Sequence, residues 1–210
     1  AVLGRCDKPM LSFLKKYFNY VIYAGLNSLN AKYDQVLCES LQATEAALEY
    51  LIGLGHTRIA YVGETKNEER YTGYLATLRK HNIPIRNEFI SHVMLSSEGG
   101  YNGTKTLLSR TQDMTAIFCP NDLTAIGAMR ALQESGFKIP ADVSVISIDD
   151  IDTAQYLSPM LTTIHVPLDE MGQTAAKILI DRIQGGHHLP MKISLPFYLA
   201  VRESCAAPRK

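Results

Sequence analysis

Residues 43–62 read ATEAALEYLIGLGHTRIAYV, and this stretch decides the fold class of the chain. From Ala43 to Leu54 the apolar side chains recur on one face of a helix, and Gly55 marks the end of that helix. The apolar run from Arg58 to Val62 then predicts a buried strand. A helix that leads directly into a buried strand is the repeating pair of an α/β fold.

The same alternation of strand and helix extends in both directions from this stretch. Further strands are predicted over 2–5, 20–24, 89–95, 116–119, 143–148, 161–166 and 193–201. Further helices are predicted over 11–18, 68–81, 99–110, 123–135 and 171–183. Strands that alternate with helices predict parallel sheets flanked by helices on both faces, so the expected fold class is α/β.

Composition and charge exclude several classes of function. The chain has 210 residues with 21 basic and 21 acidic side chains, so this stretch alone has no excess positive charge with which to bind nucleic acid. No apolar run approaches the ~20 residues of a membrane span, and the first residues do not resemble a secretion signal. The four cysteines and six histidines show no metal-ligand spacing. We therefore expect a cytoplasmic protein with no cofactor, no metal and no membrane partner.

Polar residues follow the predicted strands at the positions where open parallel sheets bind ligands, outside the carboxyl ends of the strands. These positions are residues 63–70, residues 95–98, Asn121-Asp122 and Asp149-Asp150. They are rich in Asn, Asp and Arg, which can form paired hydrogen bonds with neighbouring hydroxyl groups. The sequence therefore predicts a polyol or sugar site at this edge.

Three of these positions also have alternative interpretations. Asp149-Asp150 could divide acid and base roles in catalysis, but adjacent residues of a strand point to opposite faces, so ligand contact by one of them or simple turn chemistry is favoured. Asn121-Asp122 could cap the following helix, with or without ligand contact. Arg70 could be a surface ion-pair partner or a ligand contact.

Six motifs, taken in order along the chain, carry a resemblance to a known family. They are LIGLGHTRIA at 51–60, RYTGY at 70–74, NDLTAIGAMRA at 121–131, the segment 136–150, LTTI at 161–164 and RESC at 202–205. In this order and spacing the sequence resembles the effector-binding region of the LacI/GalR family of bacterial transcriptional repressors. The resemblance covers residues 36–205 closely and residues 1–35 more loosely.

The resemblance implies a periplasmic-binding-protein-like fold of two α/β lobes, with an effector in the cleft between them. The C-terminal lobe would be nearly complete, from residues 40–162 and 187–205, and residues 206–210 would form a tail. The N-terminal lobe would be partial, from residues 1–39 and 163–186.

The resemblance also implies the ligand-binding residues. In this family an arginine, an asparagine and an aspartate contact the effector, and they correspond to Arg70, Asn121 and Asp149. Two further cleft positions fall near Leu95 and Leu168. Some family members place an aromatic ring at the first of these, so stacking of a sugar against an aromatic side chain is not expected there.

The function implied is that of a sugar-responsive, dimeric regulator rather than an enzyme. A complete member begins with a helix-turn-helix headpiece that binds operator DNA, and the sequence shows no such headpiece, so we expect an N-terminally truncated form. Operator DNA would be bound only through that headpiece, and effector binding would control it allosterically. A solute-binding protein of a sugar transporter is the alternative. A sugar-active enzyme would require both Asp149 and Asp150 to face the substrate.

Overall fold

The computed structural model describes residues 1–4, 6, 8–29 and 32–209. The chain divides into two compact units. The small unit consists of Ala1–Ser40 and Val166–Phe197, and the large unit consists of Leu41–His165 and Tyr198–Lys210. Arg5, at the end of the first predicted strand, and Lys210, at the end of the predicted tail, lie outside the described residues.

Strands and helices alternate along most of the described chain, which confirms the predicted α/β class. The strands are β1 (Val2–Leu3), β2 (Ile22–Gly25), β3 (Asp34–Leu37), β4 (Ile59–Gly63), β5 (Ile90–His92), β6 (Ala116–Phe118), β7 (Ser144–Asp149), β8 (Thr162–His165), β9 (Lys192–Ser194) and β10 (Tyr198–Ala200). The α-helices are α1 (Lys8–Tyr17), α2 (Ser40–Gly53), α3 (Glu69–Lys80), α4 (Ser97–Arg110), α5 (Asp122–Glu134) and α6 (Leu168–Ile183). Short 3-10 helices cover Asn87–Phe89 and Asp152–Tyr156.

The large unit is built around a six-stranded sheet with the order β10-β8-β7-β6-β4-β5. All neighbouring strands are parallel except β10, which runs antiparallel to β8. Every residue of β4 and β6 is buried, as expected for strands covered by helices on both faces. The carboxyl ends of β5, β4, β6, β7 and β8 therefore meet at one edge of the sheet.

Helices α4 and α5 of the large unit pack backbone against backbone. A Cβ added to Gly127 would fall on the carbonyl oxygen of Ser97, and one added to Gly100 would fall on that of Thr124. Glycine is therefore required on both helices at this crossing. The contact places the first turn of α5 firmly beside α4.

The small unit contains a four-stranded sheet with the order β1-β2-β3-β9, in which all neighbouring strands are parallel. Asp34, at the start of β3, is almost fully buried and accepts hydrogen bonds from Arg182 Nε at 2.9 Å, Arg182 Nη2 at 2.6 Å and the Met191 backbone N–H at 2.8 Å. His187 contacts the same carboxylate at 3.2 Å. Burial opposes ionisation of Asp34, but these partners outweigh it and lower its pKa.

The strand predicted over 193–201 is wrong as a single element. The structure has β9 in the small unit and β10 in the large unit, and Pro196 lies between them. Proline has no N–H to donate to a strand ladder, and the chain passes from one unit to the other at this point. Apolar residues lie on both sides of Pro196, so the sequence pattern does not indicate that the strand ends there.

The division into lobes drawn from the sequence stays a prediction. The compact units differ from it at Ser40, which belongs to the small unit, at residues 163–165, which belong to the large unit through β8, and at residues 187–197, which belong to the small unit through β9. Among the described residues, no helix is long and apolar enough to cross a membrane.

Candidate functional site

The three polar residues predicted to bind the ligand each follow a strand of the large unit. Arg70 lies in the first turn of α3 after β4, Asn121 caps α5 after β6, and Asp149 is the last residue of β7. Strands β4, β6 and β7 are consecutive neighbours in the sheet and run parallel. The structure therefore brings Arg70, Asn121 and Asp149 to the same edge of one sheet.

Arg70 is buried, and its guanidinium is held by residues on two loops. Its Nε and Nη2 donate to the Glu68 carboxylate at 2.7 and 3.1 Å, and its Nη1 donates to the carbonyl oxygen of Pro120 at 2.6 Å. Burial opposes the charge, but Glu68 outweighs that effect and raises the pKa of Arg70. These three bonds use three of the five N–H groups of an arginine, so one remains on each terminal nitrogen.

Glu68 lies within the predicted range 63–70, but no role was predicted for it from the sequence. It is almost fully buried, and besides pairing with Arg70 it caps α3 by accepting a hydrogen bond from the Arg70 backbone N–H at 3.1 Å. An acidic residue two positions before an arginine at a helix start is the sequence signal that could have indicated this pairing. The prediction that Arg70 is an ion-pair partner is therefore confirmed, but the pair with Glu68 is buried and not at the surface.

Asn121 caps helix α5, as both of its interpretations predicted. Its Oδ1 accepts a hydrogen bond from the Thr124 backbone N–H at 3.0 Å. In the part of the chain that the structure describes, the side-chain amide nitrogen of Asn121 has no hydrogen-bond partner. The cap therefore orients the side chain and leaves its two N–H groups for a ligand.

Asp122 holds together the elements that carry the candidate site. Its fully buried carboxylate accepts hydrogen bonds from the Ser147 hydroxyl at 2.5 Å, the Thr163 hydroxyl at 2.7 Å and the Ile151 backbone N–H at 2.8 Å. Burial raises the pKa of Asp122, against the effect of these hydrogen bonds. The carboxylate ties α5 to β7, β8 and the loop that follows β7.

Asp149 and Asp150 have different surroundings although they are adjacent. Both have a left-handed backbone, with φ of 128° and 58°. Asp150 is paired with His165 Nδ1 at 2.9 Å and with Arg202 Nη2 at 2.6 Å. The Asp149 carboxylate has no hydrogen-bond partner among residues 1–4, 6, 8–29 and 32–209.

Burial raises the pKa of Asp149 to about 7. The positive charge of Arg70 lowers this pKa, and the carboxylates of Asp122 and Glu68 raise it. An unpartnered, partly exposed carboxylate near Arg70 is available to accept hydrogen bonds from hydroxyl groups. The partners of Asp150, His165 and Arg202, were not identified from the sequence because they lie 15 and 52 positions away.

The two predicted apolar positions lie in different units. Leu95 is half-buried between β5 and α4 of the large unit, in which the three polar residues also lie. Leu168 is the first residue of α6 in the small unit, and its side chain is 58% exposed. The structure thus places Leu95, but not Leu168, in the unit that holds Arg70, Asn121 and Asp149.

This arrangement, in which polar side chains lie at the carboxyl edge of a parallel sheet, is typical of a ligand-binding α/β protein. Comparison with protein families agrees, since residues 48–205 match the family described as "Periplasmic binding protein-like domain". The class of protein that fold and site define is therefore a periplasmic-binding-protein-like domain.

Similar proteins are transcriptional regulators. The HTH-type transcriptional repressor PurR of Yersinia pestis (strain Pestoides F) is 35% identical over 177 residues, which are 82% of this chain and 52% of that protein. A LacI family transcriptional regulator from Enterococcus faecium with bound ribose is 32% identical, with a TM-score of 0.86 over 97% of this chain and 77% of that chain. A complex of the transcriptional regulator CelR with cellobiose is 28% identical, with a TM-score of 0.88 over 97% of this chain and 64% of that chain.

The chain belongs to the LacI family of transcriptional regulators, within the periplasmic-binding-protein-like class. This confirms the resemblance seen in the sequence, and the similar proteins are regulators rather than enzymes or transporter components. The chain spans about half the length of the curated relatives it matches.

Proposed function

We propose that this chain is the effector-binding region of a sugar-responsive LacI-family regulator and has no catalytic activity of its own. The observation that carries the proposal is the position of Arg70, Asn121 and Asp149 at the carboxyl ends of three neighbouring strands. The bound ribose and cellobiose of two similar regulators support a sugar as the class of effector.

The three side chains offer the hydrogen bonds that a sugar requires. Arg70 has two N–H groups left after its bonds to Glu68 and Pro120, and Asn121 has both N–H groups of its amide. The Asp149 carboxylate accepts hydrogen bonds from hydroxyl groups. A sugar hydroxyl both donates and accepts hydrogen bonds. Neighbouring hydroxyls can therefore accept from Arg70 and Asn121 and donate to Asp149. Leu95 would supply an apolar contact to the carbon atoms of the sugar ring, and the assignment of Leu168 as a ligand contact stays a prediction.

The pairing of Asp150 argues against glycoside hydrolysis. A glycosidase needs two carboxyl groups facing the scissile bond, one as an acid and one as a base or nucleophile. Asp150 is held by His165 and Arg202, so only Asp149 of the adjacent pair remains for a ligand. A single carboxylate that accepts hydrogen bonds fits binding rather than catalysis.

The regulation would work by linkage between two binding events. A sugar that binds one conformation better shifts the population towards it, typically with about 1–3 kcal/mol of coupling to the second site. The second site would be operator DNA, bound through a headpiece and presented by a homodimer. Because operator DNA is a cytoplasmic target, the regulator would act in the cytoplasm.

Thermal unfolding with a panel of sugars tests this proposal. With the full chain, ribose, cellobiose and common hexoses are added at increasing concentration, and a bound sugar at about 100 times its Kd should raise Tm by about 5 °C or more. Asp149→Asn and Asn121→Ala should weaken binding about tenfold or more, because each removes hydrogen bonds to the ligand.

Asp152→Asn is the matched control, because Asp152 is exposed and hydrogen-bonds only Gln155 among the described residues. It should leave the Tm shift unchanged. If no sugar raises Tm, the class of effector is wrong. If a sugar raises Tm equally in the Asp149→Asn and Asn121→Ala variants, the site is wrong.

A further inference from the structure

A cavity in the large unit is lined by residues other than Arg70, Asn121 and Asp149. It has a volume of about 400 Å³. Small-molecule sites typically have volumes of about 300–1,000 Å³. Its lining residues that can form hydrogen bonds include Thr65, Asn87, His92, Asn102, Thr106 and Arg110.

The cavity wall contributed by α4 carries the positive charge of Arg110, which no carboxylate of the described residues pairs with. Asn102, Thr106 and Arg110 are spaced by four residues and so form one stripe along this helix. The Arg110 guanidinium makes one long hydrogen bond, from Nη1 to the Ile90 carbonyl oxygen at 3.5 Å. Within the described ranges no acidic residue lines the cavity.

His92 at the end of β5 contributes a second donor. Its Nδ1 accepts a hydrogen bond from the Thr65 backbone N–H at 3.2 Å, and the Thr65 hydroxyl lies 3.0 Å from the same nitrogen. A backbone N–H can only donate, so Nδ1 must be the acceptor nitrogen of the ring. The neutral imidazole then carries its hydrogen on Nε2, which makes that nitrogen a donor.

These observations favour an anionic ligand that also carries hydroxyl groups. A phosphate group brings about −1.5 to −2 charges and three strong acceptor oxygens at neutral pH. It therefore suits an unpaired arginine and an imidazole N–H on walls that lack carboxylates. The amides and hydroxyl of Asn87, Asn102 and Thr106 offer both donors and acceptors to alcohol groups.

We propose that this cavity binds a phosphorylated sugar or polyol, with the phosphate on Arg110 and His92 and the hydroxyl groups on Asn87, Asn102 and Thr106. The proposal is independent of the sugar site described above, because it rests on different residues. It gives the regulator a second small-molecule input in the same unit.

Titration of the full chain with glucose 6-phosphate, followed by backbone amide NMR shifts, tests this inference. We expect saturable shifts at Thr65, His92 and Asn102. Arg110→Gln should weaken binding about tenfold or more, because it removes a charge-assisted contact. Arg79→Gln is the control, since it makes the same change at an exposed position that does not line the cavity. It should leave the affinity unchanged.

Two further titrations separate the parts of the ligand. Inorganic phosphate should shift the same amides with lower affinity, and its binding should also depend on Arg110. Equal affinity for inorganic phosphate and glucose 6-phosphate would overturn the contribution of the hydroxyl groups. Shifts at these amides with unphosphorylated glucose would overturn the anionic class of ligand. Absence of binding at 10 mM, shifts confined to the surroundings of Asn121, or full affinity in Arg110→Gln would overturn the site.

Discussion

The two units of this chain are stabilised in different ways. The central strands of the large unit are covered on both faces by apolar side chains, and its polar residues gather at the edge of the sheet. In the small unit, β9 is mostly exposed, and Phe13 and Tyr17 of α1 and the following Phe18 are half-exposed or more. A buried ionic cluster centred on Asp34 connects β3, α6 and the segment before β9. Both units therefore have buried apolar residues, since β2 and β3 of the small unit are also fully buried, and the small unit differs in that one charged cluster joins three of its elements.

Replacement of Asp34 should break the small unit selectively. Asp34→Ala leaves the Arg182 guanidinium without its carboxylate and removes the acceptor for the Met191 N–H. Removing one partner of a buried pair costs about 3 kcal/mol or more. Hydrogen exchange should therefore show that β2 and β3 lose most of their protection, while β4, β6 and β7 keep theirs.

Glu45→Gln serves as the control for this prediction, because Glu45 pairs with Lys80 at an exposed site. Exposed pairs contribute less than about 1 kcal/mol, so exchange should change little. Equal loss of protection in both units of Asp34→Ala would show that the units do not differ in this way.

A glycine-to-alanine substitution should have opposite effects on stability in the two units, because glycine is required where α4 and α5 of the large unit cross. Gly127→Ala places a methyl group on the Ser97 carbonyl oxygen, so α4 and α5 must separate, at a cost of about 1–3 kcal/mol. Gly172→Ala in α6 meets no atom within 4 Å and should stabilise its helix by up to about 1 kcal/mol. Urea unfolding followed by circular dichroism measures both, and destabilisation of similar size at the two positions would contradict the prediction.

The carboxyl edge of the six-stranded sheet, where Arg70, Asn121 and Asp149 lie, is here called the polar edge. It should make the stability of the large unit depend on pH. The pKa of Asp149 is raised from its ordinary value of 3.8 to about 7 in the folded state, so the folded protein holds an extra proton between these values. Stability contributed by this group is therefore lost as pH rises from 4 to 7, by about 1 kcal/mol per pH unit. Urea unfolding at pH 5, 6, 7 and 8 should show this loss in the unmodified chain and not in Asp149→Asn.

Asp152→Asn, which changes an exposed aspartate, should retain the full pH dependence. A parallel pH dependence in the unmodified chain and in Asp149→Asn would exclude Asp149 as its source.

The polar edge could be predicted from the sequence, whereas the contacts that hold it could not. Strand periodicity predicts where each parallel strand ends, and therefore places Arg70, Asn121 and Asp149 at one edge. The hydrogen bonds of Asp34 to Arg182 join residues 148 positions apart, and no local pattern indicates such a pair. The break between β9 and β10 was also missed, because apolar residues flank Pro196 on both sides and continue the strand pattern.

For protein engineering, the hydrogen bonds of Asp122 separate the scaffold of the edge from its recognition chemistry. Asp122 joins α5 to β7, β8 and the following loop from a fully buried position. The Asp149 carboxylate, which would meet a sugar, makes no hydrogen bond among the described residues, whereas Asn121 also caps α5. A designer who seeks a regulator for a new inducer can therefore vary position 149, and vary position 121 among residues that cap a helix, while Asp122, Ser147 and Thr163 are kept, and expect the altered receptor to retain its architecture.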